Sequence, residues 1–283
     1  MPILASVNGS FFAGRRSTAY SAAAWNPASS ITTAIWFDAS DTSSYSLSGS
    51  NVTAVTDKAG NATVTVNGTP NVSNTLDSKA VFAFSGSSED FTTDEVAQAS
   101  SGNHWAIGVM QWNSRNDSQD SFWSTENNSG SIFSKRDYAI SAGVSNFDGE
   151  LDLDGLVSNR ISSTIGNKQD FDSGIAQNTW VTIVVIFNKT GNQIAVRVDG
   201  TDAFTPVNDY DNSINTNLDL RIMRNRANER MSGRMAEFFS VAAVPGTGGT
   251  DISTVQQAEG YLAHKWSLTA NLPVDHPYKS SAP

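Results

Sequence analysis

Four acidic residues at alternate positions are the part of this sequence whose types and spacing most directly suggest chemistry. Asp148, Glu150, Asp152 and Asp154 occupy every second position of one short segment. If the segment is a β-strand, Glu150, Asp152 and Asp154 project from one face. Two carboxyl groups about 5–5.5 Å apart can hydrolyse a glycosidic bond with retention, and carboxylate oxygens are ligands that Ca²⁺ prefers. The four residues are therefore candidates for glycoside hydrolysis or for binding calcium.

A simpler interpretation of this acidic segment is an exposed edge strand or turn whose carboxylates are solvated. A pattern this short also arises by accident, which favours the simpler interpretation over catalysis. An EF-hand is excluded because its glycine and its bidentate Glu are missing, so a calcium ion here would be structural or adventitious. No other cofactor is indicated, because three histidines without cysteine do not make a typical zinc site. Nucleophile-elbow and phosphate-loop motifs are also missing from the sequence.

Two tryptophans are candidates for stacking on a sugar ring. Trp112 and Trp123 flank the polar run Asn113 to Ser121, and burial in the core is the competing interpretation for both.

Arginines are concentrated in one short region, where positions 221 to 234 hold five of the 18 basic residues. Arg224, Arg226 and Arg230 are candidates for contact with an acidic partner, such as the next subunit or an anionic polysaccharide. The competing interpretation is a solvated loop whose arginines pair with neighbouring acids.

The first thirty residues are predicted to be an arm that precedes the folded domain. Their Ala, Ser and Gly content suits a disordered tail, and no periodicity of two or 3.6 is sustained. Their aromatic and basic residues favour instead an arm that orders against a partner through Phe11, Phe12, Arg15 and Arg16. Residues 26–30 are predicted to link this arm to the domain.

The composition of the whole chain restricts its partners. The 283 residues carry a net charge of −10 and no cysteine, and only 16 % of them are charged. The negative charge disfavours nucleic acid and anionic membranes, and no apolar run is long enough to span a bilayer. The N-terminus lacks the order of a Sec export signal, so synthesis in the cytosol without Sec export is expected.

From Ile31 onward, short apolar runs alternate with Gly, Asn, Asp and Ser clusters, which is typical of an all-β sandwich. The clearest unit is a hairpin of Trp180–Phe187 and Gln193–Val198. The other predicted strands are Thr33–Phe37, Val52–Thr56, Ala62–Val66, Ala80–Phe84, His104–Trp112, Ser121–Ser124, Ser131–Lys135, Tyr138–Ala142, Leu218–Met223 and Met235–Val241.

One helix is predicted, over Asp251–Trp266. Ser253 and Gln256 have the spacing of a capping box at its start. Gly260 weakens the helix by about 1 kcal/mol relative to Ala, so packing must stabilise it. Its apolar stripe consists of Val255, Ala258, Leu262 and Trp266.

Several segments occur in a fixed order along residues 31–279: Ile35–Asp41, Val55–Asn61, Ala80–Ser88, Trp180–Gly200, Ser232–Phe239, Glu259–Trp266 and Leu272–Lys279. Together they resemble the laminin-G-like, concanavalin-A-like domains found in bacterial proteins and bacteriophage structural proteins. The resemblance implies a two-sheet antiparallel jelly-roll sandwich that recognises carbohydrate or protein, sometimes with calcium at its rim. Ala59 and Asp199 depart from the family, which usually has Ser and Asn there.

The acidic segment separately resembles the E-x-D-x-E signature of family-sixteen glycoside hydrolases, which share this sandwich. Asp154 stands where the signature has the general acid Glu, and its side chain is one methylene shorter. This departure puts catalysis in doubt.

These observations favour a non-enzymatic virion structural protein, namely a capsid decoration, head-fibre or tail-fibre component. It would be made in the host cytoplasm, dock to other virion proteins through the arm, and form a homo-oligomer, with a trimer expected by analogy with fibres. Host-surface polysaccharide is the expected external ligand. The alternatives are a secreted, extracellular bacterial carbohydrate-binding module and a glycoside hydrolase of the family-sixteen type.

Overall fold

Alternating apolar side chains along the strands produce two antiparallel β-sheets packed face to face. The protein is described here by a computed structural model, which covers residues 24–97, 103–114, 121–126, 136–142, 150–156, 169–188, 193–202, 207–208, 217–224, 230–245 and 252–283. The arrangement confirms the predicted two-sheet sandwich with one C-terminal helix. No helix in these ranges is long and apolar enough to cross a membrane.

The larger sheet, sheet A, contains eleven strands. Its strands are β1 (Thr33–Asp38), β2 (Tyr45–Ser48), β3 (Asn51–Val55), β5 (Asn71–Leu76), β6 (Lys79–Ser85), β8 (His104–Ser114), β13 (Val181–Asn188), β14 (Gln193–Val198), β15 (Thr201–Asp202), β16 (Val207–Asn208) and β18 (Ser232–Val241). They follow the order β15-β14-β13-β8-β18-β6-β5-β3-β2, while β1 pairs with β18 and β16 pairs with β14.

The smaller sheet, sheet B, contains seven strands in the order β12-β11-β10-β9-β17-β7-β4. These are β4 (Val64–Asn67), β7 (Asp90–Ala97), β9 (Ser121–Glu126), β10 (Arg136–Ala142), β11 (Glu150–Leu156), β12 (Gln169–Ala176) and β17 (Asn217–Ile222). The helices are α1 (Pro27–Ser30) and α2 (Ser253–Lys265), with a short 3-10 turn at Thr42–Ser44.

The central strands of sheet A are buried on both faces, which explains their continuous apolar runs. On its inner face, side chains such as Met110 and Met235 pack against sheet B. On its outer face, side chains such as Val109 and Phe239 pack against α2. The central strands therefore belong to two separate apolar clusters.

The predicted helix is confirmed, and its stripe of Val255, Ala258, Leu262 and Trp266 is fully buried. The predicted capping box is wrong. The helix begins at Ser253 after Ile252, and no side chain caps it, because contact with sheet A stabilises the helix without one.

Most predicted strands are present within two residues of their predicted bounds. The predicted strand Ser131–Lys135 lies outside the described residues. Six of the described strands were not predicted: Tyr45–Ser48, Asn71–Leu76, Asp90–Ala97, Gln169–Ala176, Thr201–Asp202 and Val207–Asn208. Polar residues hide the period of two in the first four, and the last two are only two residues long.

Candidate functional site

A buried ionic cluster joins α2 to sheet A, and we call its four charged residues, Asp38, Lys58, Glu237 and Lys265, the helix clamp. The Lys265 ammonium on α2 lies 2.8 Å from Asp38 and 2.7 Å from Glu237. Lys58 reaches Asp38 at 3.0 Å from the loop after β3. The side chain of Glu237 is fully buried, so its charge is stabilised by protein groups alone.

Three aromatic side chains complete the hydrogen bonding of Glu237. The indole N–H groups of Trp36 and Trp266 each donate to one of its carboxylate oxygens at 2.9 Å, and the Tyr261 hydroxyl donates at 3.0 Å. Burial and the nearby Asp38 carboxylate raise the pKa of Glu237, although the charge of Lys265 opposes them. Burial also acts to raise the pKa of Asp38, but the charge of Lys265 and several hydrogen bonds outweigh it and lower that pKa.

Asp57 organises the loop that carries Lys58. Its carboxylate is buried and accepts hydrogen bonds from the backbone N–H groups of Trp36 at 2.8 Å and Asn61 at 2.8 Å, with further bonds from Ala59 and Ala62. The Asp57 carboxylate supplies acceptors for four amides, and without it the buried Trp36 amide would lose its acceptor. This explains the Asp-Lys-Ala-Gly-Asn segment of the family resemblance in structural terms.

A second buried cluster fixes the closing segment that follows α2. Glu259 accepts from the Arg197 guanidinium at 2.8 Å and lies 3.2 Å from the His276 imidazole. Arg197 also pairs with Asp202 and donates to the Gly200 carbonyl. The carboxylate and imidazole in this cluster hold the end of the chain against β14.

On the outer face of sheet A, the end beyond the helix clamp has polar and partly exposed side chains in place of a buried ionic cluster. Arg234 on β18 pairs in register with Gln111 on β8, one position beyond the pair Met235 and Met110. Trp180 immediately precedes Val181, which pairs with Met110, so it continues this row on the third strand. We call Arg234, Gln111 and Trp180 the polar row.

Hydrogen bonds hold the polar row in place. The Arg234 guanidinium donates to the Gln111 side-chain oxygen at 2.9 Å, and the Gln111 amide donates to the Asn178 carbonyl at 2.7 Å. Asn113 donates to Gln111 and to the Asn178 side chain. Gln111 is buried, whereas Arg234 and Trp180 are partly exposed and Asn178 is exposed. Solvent therefore reaches two of the three members of the row, Arg234 and Trp180.

Both tryptophans predicted to contact sugar are in the inter-sheet core, which corrects that prediction. Trp112 is 4 % exposed and donates its indole N–H to the Ile175 carbonyl. Trp123 is fully buried and packs edge-on against Phe238 at 5.2 Å. Their rings fill the space between the sheets, so neither presents a face to a ligand.

Two arginines of the arginine region take part in internal pairing. Arg230 lies 2.9 Å and Arg224 lies 3.6 Å from the buried Asp90 carboxylate. Arg226 lies outside the described residues, and a contact of these arginines with a partner stays a prediction.

The acidic segment forms β11, which lies between β10 and β12 rather than at an edge. In register, Asp152 is opposite Asp172 and Asp154 is opposite Asp170, so acidic positions occur on both strands. Asp148 lies outside the described residues. The calcium and hydrolase interpretations stay predictions.

The arm residues Phe11, Phe12, Arg15 and Arg16 lie outside the described residues. The predicted linker is instead the short helix Pro27–Ser30, whose first turn is capped by the Asn26 side chain.

None of the three members of the polar row was predicted as a site residue. Arg234 is the last arginine of its region and was not among the three proposed contacts, Gln111 has no distinctive sequence context, and Trp180 was predicted as the start of a strand. The local signal was parity along the strand. Trp180 is out of phase with Val181, Ile183 and Val185, which all belong to the inter-sheet core, so it had to lie on the other face.

Comparisons with known proteins support the fold. The chain matches the receptor-binding domain of botulinum neurotoxin D with a TM-score of 0.50 and 14 % identity, over 81 % of this chain and 53 % of that one. It thus spans about half the length of the toxin domain. The likeness establishes a common β-sandwich fold.

Two other solved structures have lower similarity. Domain 4 of an extracellular arabinanase from Geobacillus stearothermophilus, solved with arabinotriose, gives a TM-score of 0.47 at 16 % identity, over 65 % of this chain and 84 % of that chain. A Trypanosoma rangeli sialidase gives 0.46 at 8 % identity, over 74 % and 32 %. No protein-family model and no curated protein matches the chain.

Proposed function

We propose that this chain is a non-enzymatic structural protein of a bacteriophage virion that displays its sandwich for assembly and for binding host-surface glycan. It would serve as a capsid decoration, head-fibre or tail-fibre component. The family resemblance motivates the proposal, and the attachment point of the N-terminal segment is the structural observation that carries it.

The N-terminal segment joins the sandwich beside α2. Trp25 is 8 % exposed, and its ring lies 5.2 Å from that of Tyr261 and 6.2 Å from that of Phe239. Its backbone N–H also meets the carbonyl of Pro283 at 3.5 Å. Trp25, at the start of the described domain, therefore lies on the helix-covered side, a position that suits an arm that docks on this side while the remaining surface is displayed.

Three carboxylates in the segments that resemble laminin-G-like domains support a non-enzymatic function. Asp38, Glu237 and Glu259 are all engaged in buried pairs with cations. Charged groups held this way would be costly to release for chemistry. The neurotoxin domain is named for receptor binding, and the proposal gives the sandwich of this chain a recognition function of that general kind.

The test is mass spectrometry of density-purified particles of the phage whose genome encodes this sequence. We expect the protein in intact particles at a fixed ratio to the major capsid protein. Replacing Phe11, Phe12, Arg15 and Arg16 together with Ala should remove it from particles without lowering the unfolding temperature of the purified chain. Finding the protein only in the particle-free lysate would contradict the proposal, as would retention of the quadruple variant on particles.

The alternative of a secreted carbohydrate-binding module is favoured by one observation, the partly exposed Trp180 beside polar side chains. It predicts the protein in the medium of uninfected bacteria, which immunoblotting of cell and medium fractions tests directly.

A further inference from the structure

The cation of the polar row is partnered differently from two other arginines of the described residues, Arg197 and Arg230. Arg197 and Arg230 each contact a carboxylate, at 2.8 and 2.9 Å. Arg234 instead donates to the neutral Gln111 amide. Within the described ranges it forms no salt bridge, in a chain whose net charge is −10. Its guanidinium keeps donors available for an anion.

The row also has an aromatic surface at its other end. Trp180 packs against the outer apolar cluster and is partly exposed to solvent. An indole of this kind offers an apolar face together with a polar edge. The apolar C–H face of a pyranose ring is the complementary surface, so Trp180 is suited to hold a sugar ring.

The spacing of the row matches a saccharide rather than a small ion. Adjacent strands are about 4.8 Å apart, so three neighbouring strands extend over about 10 Å. This distance lets one sugar ring lie on Trp180 while a carboxylate reaches Arg234.

The row is positioned before any ligand arrives. Gln111 is buried and held by Asn178, Asn113 and Arg234. Asn178 adopts a positive φ of 62° that fixes the turn before Trp180, and its backbone N–H donates to the Trp112 carbonyl at 2.9 Å. Groups fixed in this way lose little entropy on binding.

We propose that Arg234, Gln111 and Trp180 form a binding site for a saccharide that carries a carboxylate. The guanidinium pairs with the carboxylate in the bidentate geometry that arginine favours, and the indole packs against the sugar ring. The inference deepens the proposed glycan-binding function. It rests on that proposal only in taking the saccharide to be part of a host-surface glycan.

The experiment is calorimetric titration of the full chain with two acidic saccharides and their neutral counterparts. The pairs are trigalacturonate with its methyl ester, and sialyllactose with lactose. We expect at least one acidic saccharide to bind about tenfold more tightly than its neutral counterpart, the ratio expected when one charge-assisted hydrogen-bonded pair is lost. Equal binding of both members of each pair, or no binding of either acid, would overturn the inference.

Variants assign the binding to the row. Arg234→Gln should abolish the preference for the acid, whereas Trp180→Leu should weaken the acidic and neutral members equally. Lys79→Ala removes the same charge from an exposed hairpin and should bind as the wild type does. Arg234→Lys keeps the charge without the planar fork and should give an intermediate preference, which guards against a folding defect in Arg234→Gln. Retention of the full preference in Arg234→Gln would place the site elsewhere.

The outcome is separable from that of the virion proposal. Acid-selective binding by a protein missing from particles would keep the saccharide site and remove the virion function. A particle component that binds neither acid would keep the virion function and remove the site.

Discussion

The outer face of sheet A contains two regions that differ in how their charged side chains are paired. At the helix clamp, Lys265 is enclosed by Asp38 and Glu237 within 2.8 Å. At the polar row, Arg234 is partly exposed and meets only the oxygen of an amide. The first arrangement satisfies its charges internally and stabilises the fold, whereas the second leaves charge available to a ligand.

The comparison shows that the most recognisable part of the sequence supports the fold rather than the proposed site. The segments that resemble the family include Trp36, Asp57 and Trp266. The two indoles donate hydrogen bonds to Glu237 of the helix clamp, and Asp57 accepts one from the Trp36 backbone N–H. These segments therefore predict the sandwich, while the proposed ligand contacts occur at less distinctive positions.

The largest effect is expected from breaking the helix clamp. Lys265→Met keeps most of the side-chain volume but leaves Asp38 and Glu237 without their shared cation. Loss of one partner of a buried ion pair should lower the free energy of unfolding by about 3–5 kcal/mol, measured by urea denaturation. Lys79→Ala, which breaks an exposed pair with Asp77, is the matched control and should cost less than about 1 kcal/mol. Similar losses in both variants would show that the clamp does not stabilise the helix.

A smaller effect is expected at Gly260, where α2 meets the closing segment. A Cβ at this position would lie 2.4 Å from the Tyr278 Cβ and 2.8 Å from its Cγ. Gly260→Ala gains about 1 kcal/mol of helix propensity but overpacks the contact, which costs about 1–3 kcal/mol. We expect a net destabilisation of about 1 kcal/mol in urea.

The Gly260 prediction can be checked by a double-mutant cycle with Tyr278→Gly. This change removes both the Cβ and the Cγ of Tyr278, so both close contacts disappear and Gly260→Ala should become less destabilising or stabilising. An unchanged effect in both backgrounds would contradict the account of this contact.

The smallest effect concerns the pH dependence of stability at Asp199, in the turn after β14. Burial raises the pKa of Asp199 from its ordinary value near 3.8 to about 6, against hydrogen bonds that lower it. The folded protein therefore holds the proton more tightly than the unfolded chain, and the contribution of Asp199 to stability is present below about pH 4 and lost as the pH rises through 6.

Asp199→Asn should remove this loss. Asparagine tolerates the positive φ of 50° observed here and can accept the hydrogen bond that Thr182 donates at 2.8 Å. Relative to the wild type, we expect a gain of about 1–2 kcal/mol at pH 7.5 and almost none at pH 4. Thermal unfolding at both pH values tests this, and an equal difference at the two would argue against titration of Asp199.

Much of the fold could be predicted from the sequence because its signals are local. The hairpin of β13 and β14 and the stripe of α2 follow from periods of two and 3.6 within single segments. The polar strand Asn71–Leu76 could not be predicted in the same way, since none of its six residues is buried and only two of them, Val72 and Leu76, are apolar.

The candidate site could not be predicted from sequence because it depends on register between distant strands. Arg234 and Gln111 are 123 positions apart, and a shift of one residue would place both side chains in the core. The same rule explains the correction at Trp112, which shares the parity of Met110 and so lies on the inner face of β8. Parity, once a neighbouring core residue is known, predicts the face of each strand residue.

The central claim is that stability and ligand binding are separated on this face of the protein. The most direct test measures unfolding free energy and saccharide affinity for Lys265→Met and Arg234→Gln under identical conditions. The account predicts that Lys265→Met loses stability but, while folded, keeps its preference for the acidic saccharide. Arg234→Gln should lose the preference and change in stability by no more than about 0.5 kcal/mol. Loss of both properties in both variants, or of neither in Arg234→Gln, would contradict it.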